Sequence, residues 1–191
     1  MNRLTRDVFV QRTHDLMLRQ GTLDVSLSSV LTACGANKGS LYHFFPEGKS
    51  ELLVAAMERQ AECALGSNRN CLSESKSTGD AVFRLLRSLA GMMESEGCPE
   101  FLPFSAAGAI CDESNEACRE VCASTLDSLQ CLYVDSLRGE GVPTKVAKSL
   151  ASVIISTVEG ALLQSRTQRS SSPLRAAATH LRDLIERQVA G

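Results

Sequence analysis

In the stretch "CGANKGSLYHFFPEGK", Cys34 to Lys49, the groups able to do chemistry are crowded together. Lys38 and Lys49 supply ammonium cations, Ser40 and Tyr42 hydroxyls, and His43 a ring that can donate or accept a proton. No nucleophile–base pair and no pair of carboxylates stands among them, so the set does not suggest bond-breaking chemistry. Cationic and hydroxyl donors suit phosphate oxygens and polar base edges. Gly39 lies in their midst and costs about 1 kcal/mol relative to alanine if the segment is helical. A glycine there has a use if the helix must lie close to something bulky, such as a DNA groove. The plainer alternative is a solvated helix face with a tyrosine on its edge.

The elements that must hold these residues are helical. "TRDVFVQRTHDLMLRQG" places Val8, Phe9 and Leu16 near helical spacing and stops at Gly21. Ser26 is a fitting N-cap for a second, short helix ending at Gly35, a residue suited to the positive φ of a tight turn. Asn37 caps a third helix, which Pro46 ends. Two short helices joined by "CGAN" after a longer one match the helix-turn-helix plan. Lys49 opens the next helix, where its ammonium and the helix N-terminus together suit one phosphate.

Helical patterns continue over about 49–70, 79–95, 114–138, 143–168 and 173–189. "GSNRNCLSESKSTG" reads as a loop or a loosely wound helix end, and "SEGCPEFLPFSAAG" as a bend. Strand signals are nearly absent, so the fold class is all-α. The expected organisation is a helix-turn-helix DNA-binding domain over 1–48 and a ligand-binding and dimerisation domain over 49–191.

Composition allows this and excludes some alternatives. The 191 residues are 43% hydrophobic and 22% charged, enough for a core, with aromatics at only 4%. The formal charge is −2, but residues 1–50 carry +2 and the remainder −4, which permits DNA binding by the head. No signal-peptide core and no membrane-length apolar run stands out, so the expected location is the cytoplasm, away from any membrane. The eight cysteines then read as reduced thiols, and without a CxxC pair neither a metal site nor a cofactor is expected. His14, His43 and His180 are scattered, which speaks against an enzyme.

"VSLSSVLTACGANKGSLYHFFPEGKSELLVAAM" resembles the DNA-binding head of the TetR/AcrR family of transcriptional regulators. The family's Gly-x-Ser-Lys-Gly-Ser/Thr-Leu-Tyr-x-x-Phe core and following Lys-x-x-Leu are present here from Gly35 to Phe45, then at Lys49 and Leu52. The resemblance implies that Ser26, Tyr42 and Lys49 meet phosphates. It places Lys38, Gly39 and Ser40 at the groove-facing start of the recognition helix and His43 at a variable, base-reaching position. Leu27, Val30, Leu41 and Phe45 would hold the head together. Asn37 departs from the usual Ser, and "FPEGK" is longer than the common turn. "EGCPEF", "VEGALLQSR" and "SPLRAAATHLRDLI" resemble the LmrA/YxaF-like branch, whose members respond to hydrophobic compounds.

The resemblance thus implies a homodimeric repressor released from a palindromic operator by a small hydrophobic effector. Met92, Met93, Cys98, Phe101 and Phe104 are candidates to line its cavity. Ile154, Val158, Ala161, Leu162, Leu181 and Leu184 are candidates for the dimer face. Two alternatives stand beside this reading. One is a regulator that senses electrophiles through Cys98, although Glu96 and Glu100 would suppress its thiolate. The other is a helical small-molecule-binding protein or enzyme without a DNA role. Cys111, Cys118 and Cys122, on one helical stripe, are expected to be small core residues.

Overall fold

A computed structural model describes residues 4–21, 25–95 and 102–190. The first three helices begin where local chemistry places them. α1 (Arg6–Gln20) starts behind Thr5, whose Oγ1 accepts the Val8 N–H at 3.3 Å. α2 (Leu27–Cys34) starts behind Ser26, whose Oγ accepts the Ser29 N–H at 3.0 Å. It ends at Gly35, at φ 59°, where the Gly35 and Ala36 N–H groups turn back to the carbonyls of Thr32 and Leu31. α3 (Lys38–Phe44) starts behind Asn37, whose Oδ1 accepts the Ser40 N–H at 2.8 Å. Each cap satisfies a backbone donor that has no acceptor within its helix.

The remaining helices are α4 (Lys49–Glu74), α5 (Thr78–Ser95), α6 (Phe104–Ala109), α7 (Glu116–Gly139), α8 (Thr144–Gln168) and α9 (Ser172–Ala190), with a 3₁₀ turn at Glu113–Asn115. Among the described residues there is no strand. Two segments resolve what the sequence pattern leaves open or misses. The polar stretch after Gly66 continues α4 as regular helix to Glu74. Asn68, a loop-favouring residue, is buried there because both ends of its amide are paired. Its Nδ2 donates to the Ala64 carbonyl at 2.8 Å, and its Oδ1 accepts the Tyr133 hydroxyl at 2.5 Å. Within the expected bend, α6 forms directly after Pro103 and buries Phe104 and Ala107.

The chain divides into two compact units, Met1–Cys63 with Glu100–Ala123, and Ala64–Pro99 with Ser124–Gly191. The first is built around Phe9, Val30, Leu41, Phe45, Leu52 and Ala56, all at most 2% exposed. The Phe9 ring meets those of Phe44 and Phe45 with centroids 5.9 and 6.0 Å apart. Arg6 lies over the Phe45 ring at 4.9 Å and reaches the Glu51 carboxylate at 3.8 Å, tying α1 to the start of α4. Cys118 and Cys122 are buried in this unit, as small apolar residues would be.

The second unit is a packed set of α5, α8 and α9 with the later part of α7. Its core includes Val82, Leu86, Leu137, Ile154, Leu174 and Ile185. The N-terminus of α5 is held by Glu140, whose Oε1 accepts the Thr78 N–H at 2.6 Å. Arg175 on α9 forms a two-pronged pair with Glu94 on α5, each at 2.6 Å. α8 is, by length and composition alone, apolar enough to cross a bilayer, with mean hydropathy 1.5. Its inner face, Ala147, Leu150, Ala151, Ile154 and Ala161, instead joins the core. Between Lys148 and Arg166 its only charged residue is Glu159, which is 9% exposed, so the outward side carries no free charge.

Candidate nucleic-acid interface

Every residue expected to meet DNA belongs to the first unit and lies at the N-cap of α2, on α3 or at the first position of α4. Lys38, Gly39, Tyr42, His43 and Lys49 are exposed, while Ser40 is half-buried. Among the described residues neither Lys38 nor Lys49 has an ion-pair partner. The nearby Glu51 is engaged by Arg6 and by the Glu47 N–H at 3.3 Å. The ammonium groups therefore stand in solvent without a competing carboxylate bound to them.

The hydroxyls divide by what already holds them. Ser40 donates from Oγ to Asn37 Oδ1 at 3.1 Å, so it serves the cap of α3. Ser26 Oγ caps α2 and lies 2.9 Å from Ser28 Oγ and 3.0 Å from Ser29 Oγ. Ser28 is exposed and was not marked by the sequence motif, yet its hydroxyl is part of the same cluster. His43 sets its ring edge against Phe44, with centroids 4.9 Å apart. That contact orients the imidazole while leaving it exposed.

Gly39 is open on its outer side. A Cβ there would meet only Asn37 Oδ1, at 3.3 Å. Nothing in the protein's own core therefore requires a glycine at this position. The longer "FPEGK" turn closes through the Gly48 N–H, which donates to the Phe45 carbonyl at 2.9 Å. Gly48 takes φ 70°, a left-handed conformation that places Lys49 at the head of α4. The Tyr42 ring lies against this turn, half exposed. Lys38, Tyr42 and His43 on α3 and Lys49 at the head of α4 are thus all exposed, and Tyr42 lies beside the turn that leads into Lys49.

Residues 9–56 match the family model described as bacterial regulatory proteins, tetR family. Residues 78–180 match the C-terminal domain of LmrA/YxaF-like transcriptional regulators, more than half of the chain. The chain belongs to the TetR family, in its LmrA/YxaF-like branch. It is a DNA-binding transcriptional regulator. It is similar to the HTH-type transcriptional regulator LmrA of Bacillus subtilis, 26% identical over 183 residues, spanning 96% of this chain and 97% of that one. An HTH-type regulator of Mycobacterium tuberculosis is 27% identical over 173 residues, 89% of this chain and 88% of its own. Among solved structures, a TetR regulator from Chloroflexus aurantiacus superposes with TM-score 0.81 at 26% identity, over 96% of this chain and 94% of that one. A cysteine mutant of the TetR-family regulator CifR, solved with 26-bp operator DNA, shares the fold with TM-score 0.78 at 20% identity, covering 96% and 97%.

The other expected residues fall as follows in this regulator. Cys98 and Phe101 lie outside the described residues. Met92 is exposed on α5, and Met93 packs against the core of the second unit. Phe104 is buried in the first unit, beside a small crevice of about 10 Å³, room for about one water, that His14, Met17, Met57 and Gln60 also line. Ile154, Ala161 and Leu181 are 0%, 7% and 3% exposed, so their side chains are engaged inside the protomer and leave little for a partner to touch. Val158 and Leu162 are half-buried and Leu184 is exposed. Val153 and Leu163, which periodicity did not single out from the core, are exposed on the uncharged side of α8.

Proposed function

We propose that this regulator is a homodimeric repressor that binds a palindromic operator and leaves it when a small hydrophobic compound binds the part of the chain after residue 48. The observation that carries the DNA half of this reading is the exposure of Lys38, Tyr42 and His43 on α3 and of Lys49 just after its turn, with neither lysine paired to a carboxylate among the described residues. In it, Tyr42 and Lys49 hold a backbone phosphate beside the first N–H groups of α4, which have no acceptor within the helix. Lys38 and His43 face base edges, with Gly39 letting the backbone approach the groove. Ser26 orders the start of α2, where Ser28 offers the outward hydroxyl. The site of action is the cytoplasm, where the operator is.

The dimer half rests on α8 and α9. Val153, Leu163 and Leu184 are exposed large apolar residues, and between Lys148 and Arg166 the outward side of α8 carries no free charge. Depletion of charge with exposed apolar side chains suits the centre of an interface. Two heads related by a twofold axis then read half-sites about one helical turn or more apart. Effector and DNA favour different separations of the heads, so each weakens the other's binding reciprocally.

Selection from a randomised DNA library tests the reading. The protein should enrich a palindrome and release it on addition of an effector from a panel of hydrophobic compounds. Enrichment of no sequence would contradict operator binding, and tighter binding in the presence of an effector would contradict release.

A further inference from the structure

The turn between α3 and α4 brings backbone and ring into unusually close register. A Cβ built on Gly48 would lie 3.1 Å from Cε1 of Tyr42 and 3.7 Å from both Cζ and Oη. Carbon atoms in favourable contact stand about 3.5–4.0 Å apart, so the ring occupies space that any side chain at 48 would claim. Tyr42 is 50% exposed, and its inner edge rests on the bare backbone of Gly48. The hydroxyl thereby lies next to the residue that precedes Lys49.

We infer that Gly48 is a positioning residue for DNA binding. Its missing side chain lets the Tyr42 ring lie against the head of α4, so that the Tyr42 hydroxyl and the Lys49 ammonium can serve one phosphate. This rests on the proposed phosphate contact of Tyr42 and Lys49. The glycine meets two separable demands. Its φ of 70° favours glycine and tolerates asparagine, whereas a Cβ of either alanine or asparagine would crowd Tyr42 Cε1 at 3.1 Å and make the ring shift from its place.

The test uses the whole chain and a duplex selected by the wild-type protein from a randomised library. Gly48→Ala and Gly48→Asn should each weaken binding about three- to tenfold, the effect of forcing one side chain off its rotamer. Both should shift the Tyr42 ring resonances of the free protein in NMR spectra, where Tyr133 is the only other tyrosine. In a Tyr42→Leu background neither substitution should weaken binding further. Gly48→Asn keeps the test available if Gly48→Ala does not fold. Wild-type binding by Gly48→Asn would make backbone conformation the glycine's whole role and overturn the inference. Equal losses with and without Tyr42 would overturn it too, because the turn would then act through Lys49 alone. Unchanged affinity in Tyr42→Leu itself would overturn the phosphate contact, and with it the DNA role of Gly48, whereas the two preceding failures leave that contact standing.

Discussion

Nε2 of His14 on α1 lies 2.6 Å from Oε1 of Gln60 on α4, and His14 is only 8% exposed. The bond joins the first helix of the head to the long helix that Lys49 begins. With the glutamine oxygen accepting, Nε2 carries the ring proton and Nδ1 is the bare nitrogen. Nδ1 is itself buried without a partner, so the imidazole depends on Gln60 for its one satisfied polar atom.

Gln60→Leu should therefore destabilise the protein by about 1–3 kcal/mol, because a buried N–H loses its acceptor. Gln60→Glu, which keeps an acceptor, should recover much of that loss. Urea denaturation of the three proteins measures it. Wild-type stability in Gln60→Leu would show that the bond contributes nothing.

The thiol of Cys118 links burial to alkaline pH. Burial pushes its pKa up from 9.0 to about 11, and the neighbouring Cys111 adds to the rise. The folded protein thus holds this proton more tightly than the unfolded chain does. Its contribution to stability is complete below pH 9 and is lost as pH rises towards 11. Cys118→Ala should lower stability throughout by opening a small cavity, yet flatten the decline across that window. Denaturation curves along the pH series check this, and equal slopes in the two proteins would contradict it.

How much of this was legible in the sequence varies by residue. Ser26, Gly35 and Asn37 declared the caps and turn of the head because capping is local: a short polar side chain bonds a backbone N–H three residues on. The pairing of Asn68 with Tyr133 was not legible, since the partners are 65 residues apart and polar composition suggested a loop. α6 was hidden by the prolines around it, and only the burial of Phe104 and Ala107 explains its formation. Periodicity put Ile154, Ala161 and Leu181 on apolar stripes of α8 and α9. It could not tell the stripe facing the protomer's own core from the one left outside, where Val153 and Leu163 stand. Gly48 likewise gave only a turn signal, because its contact with Tyr42 exists only once α3 and α4 are placed.

The outward face of α8 and α9 leads to a prediction about assembly. If this face forms the proposed dimer interface, Leu184→Glu should put an unpaired carboxylate into it, twice by symmetry. One such buried charge costs about 3–5 kcal/mol, so the dimer should weaken by more than about a hundredfold. Sedimentation should show a dimer for the wild type and monomer for the variant at the same concentration, with the helical spectrum retained. An unchanged dimer would exclude this face.

The most direct measurement of the central claim is the salt dependence of DNA binding by the wild type, Lys49→Ala and Lys38→Ala, on the selected operator and on an unrelated duplex. Binding should weaken steeply with salt. Lys49→Ala should lose affinity for both duplexes alike and lower the salt slope by about 1 for each head, as the loss of a phosphate contact does. Lys38→Ala should narrow the preference for the operator over the unrelated duplex. Salt-independent binding, or a Lys49→Ala slope equal to that of the wild type, would contradict the assignment of this face to the DNA backbone.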